Sequence, residues 1–358
     1  MMPTLINIQF LRAMAAIAVL LFHFSLQYNS ISGSLDNPLM HAAYWLGYAG
    51  VDFFFVISGY IMWITTRQQH HTRPVLDFAF KRATRIYFGY WPYFALAVLI
   101  VSLYPALLND NVNVWGSFWL TEPTTANLLI QVAWTLQYEL YFYLLFAAIL
   151  LLPVRHKLTA ILIMMLLITG FHGWQAMSPS ATTPPNFWDF AFSPYCLEFF
   201  AGCLIGHFFA HRRLNLLTPL IGGLGLLVAA VVLQQSVLET SLIDHQLVIP
   251  RVLIFGTAAV CLTMTLIELE LRGRQLLPKL SLLLGGASYS IYLSHTLVIA
   301  LVFALGWQQW LKSNSEYPLL WLFLIMLLTI GYSTLHYRWI EQPLMRLARW
   351  LKIRLLGS

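Results

Sequence analysis

Ten separate stretches of this chain are apolar for long enough to cross a lipid bilayer, and they constrain its fold more than any other feature. They cover 5–28, 39–66, 86–104, 130–152, 158–174, 190–209, 216–234, 248–267, 282–305 and 317–338. A helix needs about 20 residues to cross a hydrocarbon core of about 30 Å. Only 9% of the 358 residues are charged and 59% are hydrophobic, against about 25% charged in an ordinary soluble domain. A backbone inside lipid must satisfy its own hydrogen bonds. The pattern therefore predicts an all-α, polytopic integral-membrane helix bundle with about ten transmembrane helices. The first run has no basic n-region and no small-residue cleavage site, so it reads as a retained helix rather than a signal peptide.

The basic residues give the expected orientation. With the N-terminus in the cytoplasm, the inner loops hold Arg67, Arg73, Lys81, Arg82 and Arg85, then Arg155 and Lys157, then Arg212 and Arg213. Arg272, Arg274 and Lys279 follow, and the tail adds Arg338, Arg346, Arg349, Lys352 and Arg354. The outer loops hold only Arg251 and Lys312. The positive-inside rule then places both termini in the cytoplasm. The net charge of +6 reflects topology, and no nucleic-acid partner is expected. The outer segments 105–125 and 175–189 lack Lys and Arg. Their Trp115, Trp119 and Trp188 suit an interfacial belt, with stacking on a sugar ring as the other reading. From Leu344 to Leu356, Arg346, Arg349 and Lys352 oppose a row of leucines, the pattern of an amphipathic helix on the inner leaflet. The expected organisation is one transmembrane domain over 1–340 and a basic amphipathic cytoplasmic tail over 341–358. The three cysteines, Cys196, Cys203 and Cys261, show no ligand spacing, so neither a disulfide framework nor a metal site is expected.

Ionisable groups inside a span are costly and mark candidate sites. Arg12 and His23 are eleven residues apart on the first helix, so they share nearly one face about 16 Å apart along the axis. They either line a tunnel or snorkel to opposite headgroup layers. Glu139 lies within WTLQYELYFY, at a depth similar to His23, which makes His23 its nearest plausible partner by depth, with a structural pairing to another helix as the other reading. Asp52 and Ser58 belong to GVDFFFVISGY, whose glycines permit close helix packing. Tyr292 and His295 close the run SYSIYLSH, with His295 near mid-membrane. A histidine of near-neutral pKa beside a carboxylate suits general-base activation of a hydroxyl, as acyl transfer requires. Lys81, Arg82 and Arg85 suit the phosphates of a nucleotide carrier, although topogenic charge alone accounts for them too. Embedded His, Arg and Glu also build proton relays, so a secondary transporter or exporter of a glycan-related solute is the competing reading. No inverted repeat supports it.

Seven fragments in order resemble the acyltransferase-3 family of bacterial membrane O-acyltransferases that modify exopolysaccharide and lipopolysaccharide. They are Arg12-x10-His23, GVDFFFVISGY over 50–60, FKRATRIY over 80–87, WTLQYELYFY over 134–143, LEFFAGCLIG over 197–206, SYSIYLSH over 288–295 and the closing Tyr337-Arg-Trp-Ile-Glu341-Gln-Pro343. The resemblance implies an inner-membrane enzyme that carries an acyl group from cytoplasmic acyl-CoA, commonly acetyl-CoA, to a glycan or lipid-linked saccharide on the periplasmic side. It makes His23 the catalytic histidine with Arg12 as its partner, and places Arg82 and Arg85 at the CoA phosphates. Glu139 and His295 match recurrent positions. One departure is that Phe88-Gly89 follows the basic loop where the family usually has proline, which is delayed here to Pro92.

Overall fold

The computed structural model describes residues 5–66, 74–177, 187–208, 215–238, 240–244, 247–314 and 317–356. Arg67, Arg73, Arg212 and Arg213, expected at the inner face, and 178–186 of the second outer segment lie outside these described residues.

The described chain is helical, with no strand among the described residues. In chain order the helices are α1 (Ile6–Ser32), α2 (Pro38–Leu46), α3 (Gly50–Thr66), α4 (Pro74–Leu103), α5 (Val114–Trp119), α6 (Trp134–Leu150), α7 (Val154–Met177), α8 (Phe187–Ala191) and α9 (Tyr195–Phe208). There follow α10 (Leu217–Leu233), α11 (Val248–Arg251), α12 (Thr257–Leu271), α13 (Pro278–Gly286), α14 (Ser288–Ala304), α15 (Trp307–Asn314), α16 (Pro318–His336) and α17 (Gln342–Leu356). Wide π turns at 234–238, 252–256 and 337–341 continue α10, join α11 to α12 and join α16 to α17.

Eight helical stretches among the described residues are long and apolar enough to cross a membrane. The pair α13 and α14, bent by 56° at their junction, makes nine if it counts as one span. The run 190–209 contains α9, described over Tyr195–Phe208. The run 282–305 breaks at Ala287. There Ser288 Oγ donates to the Gly285 carbonyl at 2.8 Å, and a Cβ on Gly285 would run into the Gln9 carbonyl.

The chain forms two compact units: Met1–Ile8, Asp52–Phe78 and Phe142–Gln275 in the first, and Gln9–Val51, Ala79–Tyr141 and Leu276–Ser358 in the second. In the first unit, α3 and α9 cross backbone to backbone. A Cβ on Gly59 would meet the Phe199 carbonyl, and one on Gly202 would meet that of Val56. This is the close packing that small residues permit. Phe142 stacks on Phe199 at 4.9 Å and meets Phe55 edge-on at 5.1 Å, filling the space beside the crossing. The first amides of α1 would be left without helical partners. Glu270, at the end of α12, accepts from Ile6 N at 2.7 Å and Asn7 N at 2.9 Å.

In the second unit the segment after α4 is not a simple outer loop. It turns back so that α5 packs along the middle of α4. Tyr87 Oη donates to the Trp119 carbonyl (3.0 Å), Tyr90 Oη to that of Ser117 (2.9 Å) and Trp91 Nε1 to that of Phe118 (3.3 Å). Tyr90 is thirteen residues before the end of α4, about 20 Å along the axis. Three successive carbonyls at the end of α5 thus receive donors from one face of α4, the satisfaction a non-spanning backbone needs. Glu122 holds the return path: its carboxylate accepts from Asn113 Nδ2 (2.9 Å), Thr124 N (3.1 Å) and Asn127 Nδ2 (3.3 Å). Trp119 is thereby an internal element of the fold as well as a partly exposed ring. Overpacking the α3–α9 crossing is expected to destabilise. Gly59→Ala and Gly202→Ala should each cost about 1–3 kcal/mol, while Gly170→Ala, whose Cβ meets nothing within 4 Å, should be neutral; thermal unfolding in detergent checks this.

Candidate active site

His23 lies on α1 and His295 on α14, both within the second unit. His295 Nε2 is 3.1 Å from His23 Nδ1, and the two ring centroids are 4.6 Å apart. His23 Nδ1 also lies 2.9 Å from the Val19 carbonyl oxygen, and His295 Nδ1 lies 3.2 Å from that of Ile291. A carbonyl oxygen only accepts, so in the neutral rings each Nδ1 carries the proton. The Nδ1–H of His23 is then shared between the Val19 carbonyl and the bare Nε2 of His295. That leaves His23 Nε2 with a lone pair and no hydrogen-bond partner among the described residues. The pair is therefore polarised in one direction: His295 accepts, and His23 is left with a free basic nitrogen.

His295 is fully buried and His23 half-buried, so the histidine that keeps the lone pair is also the more accessible one. Tyr292, one helical turn before His295, is held from both sides. Thr135 Oγ1 donates to Tyr292 Oη at 3.0 Å, and Tyr292 Oη donates to the Val132 carbonyl at 3.0 Å. Its ring stands 5.9 Å from that of His295. Tyr292 ties α14 to the start of α6 and so fixes the depth of His295.

A second polar group within the same unit surrounds Arg85. Its guanidinium pairs with Glu341 and lies 5.1 Å from the centre of the Tyr289 ring. The other Glu341 oxygen accepts from Ser290 Oγ at 2.8 Å, and Ser290 Oγ is 3.4 Å from His336 Nδ1. Tyr289 Oη donates to the Ile86 carbonyl, one residue beyond Arg85 in α4, at 3.0 Å. Lys81 and Arg82 precede Arg85 by four and three residues and so share its side of α4; all three remain partly exposed. Arg12, half-buried on α1, approaches Gln9 Oε1 at 3.4 Å.

The partner that depth suggested for Glu139 is not the one found. The residue that meets His23 is His295. Depth ranks candidates along the membrane normal, but the rotation of each helix decides which one faces which.

Asp52 and Ser58 belong to the first unit. Asp52 receives Arg251 through two nitrogens, Nη2 to Oδ2 at 2.8 Å and Nε to Oδ1 at 3.1 Å. Arg251, counted above as an outer-loop cation, is 3% exposed and is a buried counter-ion instead. Ser58 Oγ is buried with no hydrogen-bond partner among the described residues. Glu341 and Arg251 escaped selection as site residues. The signal for Glu341 was present, as an acid in a mostly apolar closing motif, whereas nothing local marks Arg251 as Asp52's partner. No group of three His, Cys, Asp or Glu among the described residues is placed to hold a metal ion.

Comparison with known proteins defines the class. The family model described as an acyltransferase domain matches residues 5–338, and the chain belongs to this acyltransferase-3 family. It is a multi-pass membrane acyltransferase, which favours the enzyme reading over the transporter. The exopolysaccharide production protein ExoZ of Rhizobium meliloti (strain 1021) is 31% identical over 330 residues, covering 87% of this chain and 95% of that protein. No solved structure matches. Glu341→Ala should destabilise the second unit, by less than the about 3–5 kcal/mol of a broken fully buried pair, because Arg85 keeps 27% exposure; thermal unfolding measures it, and exchanging the two charges should recover part of the loss.

Proposed function

We propose that this protein transfers an acyl group, acetyl in the simplest case, from acyl-CoA to a hydroxyl of an exopolysaccharide or a related envelope glycan, with His23 Nε2 as general base. The observation that carries the reading is the polarised histidine pair, which leaves one accessible basic nitrogen on a family-matched residue. The glycan class is supported by the 31% identity to a relative named for exopolysaccharide production.

In the proposed reaction the acceptor O–H lies against His23 Nε2. As the hydroxyl oxygen attacks the thioester carbonyl, its proton passes to Nε2 and the carbonyl becomes a tetrahedral oxyanion. Collapse breaks the C–S bond, and the CoA thiolate takes the proton back from His23. The products are the acyl ester and free CoA thiol, with no net proton change. While His23 is an imidazolium, its Nδ1–H points at the Val19 carbonyl and the lone pair of His295, and both stabilise the transient charge. His295 is thus a positioning residue that fixes the tautomer, a task carried out elsewhere by a carboxylate. Tyr292 holds His295 in place.

Lys81, Arg82 and Arg85 would receive the donor's phosphates, with Arg85 pre-oriented by Glu341 and Tyr289. Arg12 would line the path of the pantetheine arm, about 16 Å along α1 from His23. Glu139 would balance the cations around Arg85. Asp52 and Ser58 would serve as substrate or structural support. The positive-inside pattern supports a bacterial inner-membrane enzyme with both termini and the donor in the cytoplasm and the acceptor, a glycan or lipid-linked saccharide, on the periplasmic side. The domain would occupy 1–340, with the tail 341–358 lying on the inner leaflet.

His23→Ala should lower transfer by the about 10²–10⁴-fold typical of a lost general base at unchanged membrane expression; acceptor acylation retained at the native rate would sink the assignment. His295→Ala should lower kcat more than it changes the KM for acyl-CoA. Arg82→Ala and Arg85→Ala should each weaken acyl-CoA binding, measured by thermal stabilisation of the purified protein with the ligand. Equal stabilisation of native and variant proteins would leave the loop a topological role only.

A further inference from the structure

The backbone that leads into α6 is buried without belonging to a long helix. Leu128, Ile130, Val132 and Ala133 are at most 5% exposed. Leu128 and Ile130 have extended backbone, and only the 3₁₀ turn Gln131–Ala133 precedes α6. Such backbone has no ladder of its own, so its polar groups must be met one at a time by other elements. Leu129 N donates to Ser117 Oγ on α5 at 2.9 Å. Three residues later, the Val132 carbonyl accepts from Tyr292 Oη on α14 at 3.0 Å.

Ser117 is fully buried and both donates and accepts through its hydroxyl. While Oγ accepts from Leu129 N, it donates to the Asn113 carbonyl at 2.7 Å, and the Ser117 carbonyl accepts from Tyr90 Oη at 2.9 Å. This residue thereby joins α4, the start of α5 and the buried segment. The remaining path to the histidines is short. Tyr292, held by Val132 and Thr135, stands one turn from His295 with the ring centres 5.9 Å apart. His295 Nε2 in turn lies 3.1 Å from His23 Nδ1. Every member of this path belongs to the second unit.

We propose that Ser117 is a positioning residue for acyl transfer: through Leu129, Val132 and Tyr292 it sets where His295 Nε2 stands against His23 Nδ1. This role rests on the reading of His23 as the base, and Ser117 itself touches no reacting atom. Without the hydroxyl, the buried Leu129 N–H loses its acceptor, a costly vacancy. The segment 128–133 then shifts to satisfy it, and the Val132 carbonyl no longer holds Tyr292 at one depth. His295 moves away from His23, and the tautomer that leaves His23 Nε2 basic is less firmly held. The folded-back α5 segment is thus a support for the base as well as a packing element.

A double-mutant cycle read by acyl-transfer kinetics tests the path. Ser117→Ala should lower kcat by about 10- to 10²-fold, the scale of an ångström-sized misplacement, with the KM for acyl-CoA unchanged. Tyr292→Phe should lower kcat similarly, and the double variant should lose little more than either single one, because both cut the same path. If Ser117→Ala does not fold, Ser117→Cys, which keeps the volume and weakens both bonds, carries the same comparison. Nitrogen-15 NMR of histidine-labelled protein reads the pair without turnover. The His23 and His295 resonances should move in Ser117→Ala and in Tyr292→Phe, and stay in place in Gly59→Ala, which loosens the first unit instead. Moved resonances in a protein whose native form transfers no acyl group would uphold the link from Ser117 to the histidines and refute acyl transfer as its use. Unmoved resonances in Ser117→Ala, multiplying kcat losses in the double variant, or an effect confined to KM would each overturn the proposal.

Discussion

A charge removed from water must be met by another group, and the polar interior of this protein is organised around that requirement. Arg251 with Asp52 meets it in one unit, and Arg85 with Glu341 in the other. In both cases the acid is at most 1% exposed and would be untenable alone. Each pair then recruits a further element. The 252–256 turn follows Arg251 directly, and Ser290 of α14 uses the second oxygen of Glu341. The ion pairs therefore act as joints between helices whose outer surfaces are almost uniformly apolar and so have little directional preference of their own.

The histidine pair uses neutral groups for a related purpose. A carbonyl oxygen orients each imidazole, and the two rings orient one another, so the lone pair falls on the more exposed histidine, with no carboxylate hydrogen-bonded to either ring among the described residues. A base oriented by neutral dipoles avoids the desolvation cost of a third buried anion in the second unit. Burial of His295 and partial exposure of His23 give the pair its polarity, and Tyr292 keeps the depth of His295 tied to α6.

Non-spanning backbone follows the same accounting. The α5 segment leaves the end of α4 and returns along its middle, where Tyr87, Tyr90 and Trp91 supply donors to three carbonyls in a row. These three aromatic residues of α4 are the hydrogen-bonding support for a folded-back segment.

Length and hydrophobicity alone determined that this chain is a helical membrane bundle, because a spanning backbone has few other ways to satisfy itself in lipid. They also put Arg12 and His23 on one helix face, since helical geometry is local, and marked Gly59 as a packing residue. Only the tertiary structure decided which buried groups meet. Glu139 was matched to His23 by depth, but rotation of the helices gave His23 to His295. Arg251 read as a loop cation because its partner Asp52 lies 199 residues away in the chain. Depth follows from position along a helix and is legible one segment at a time; facing depends on how several helices pack together, and no single segment encodes it.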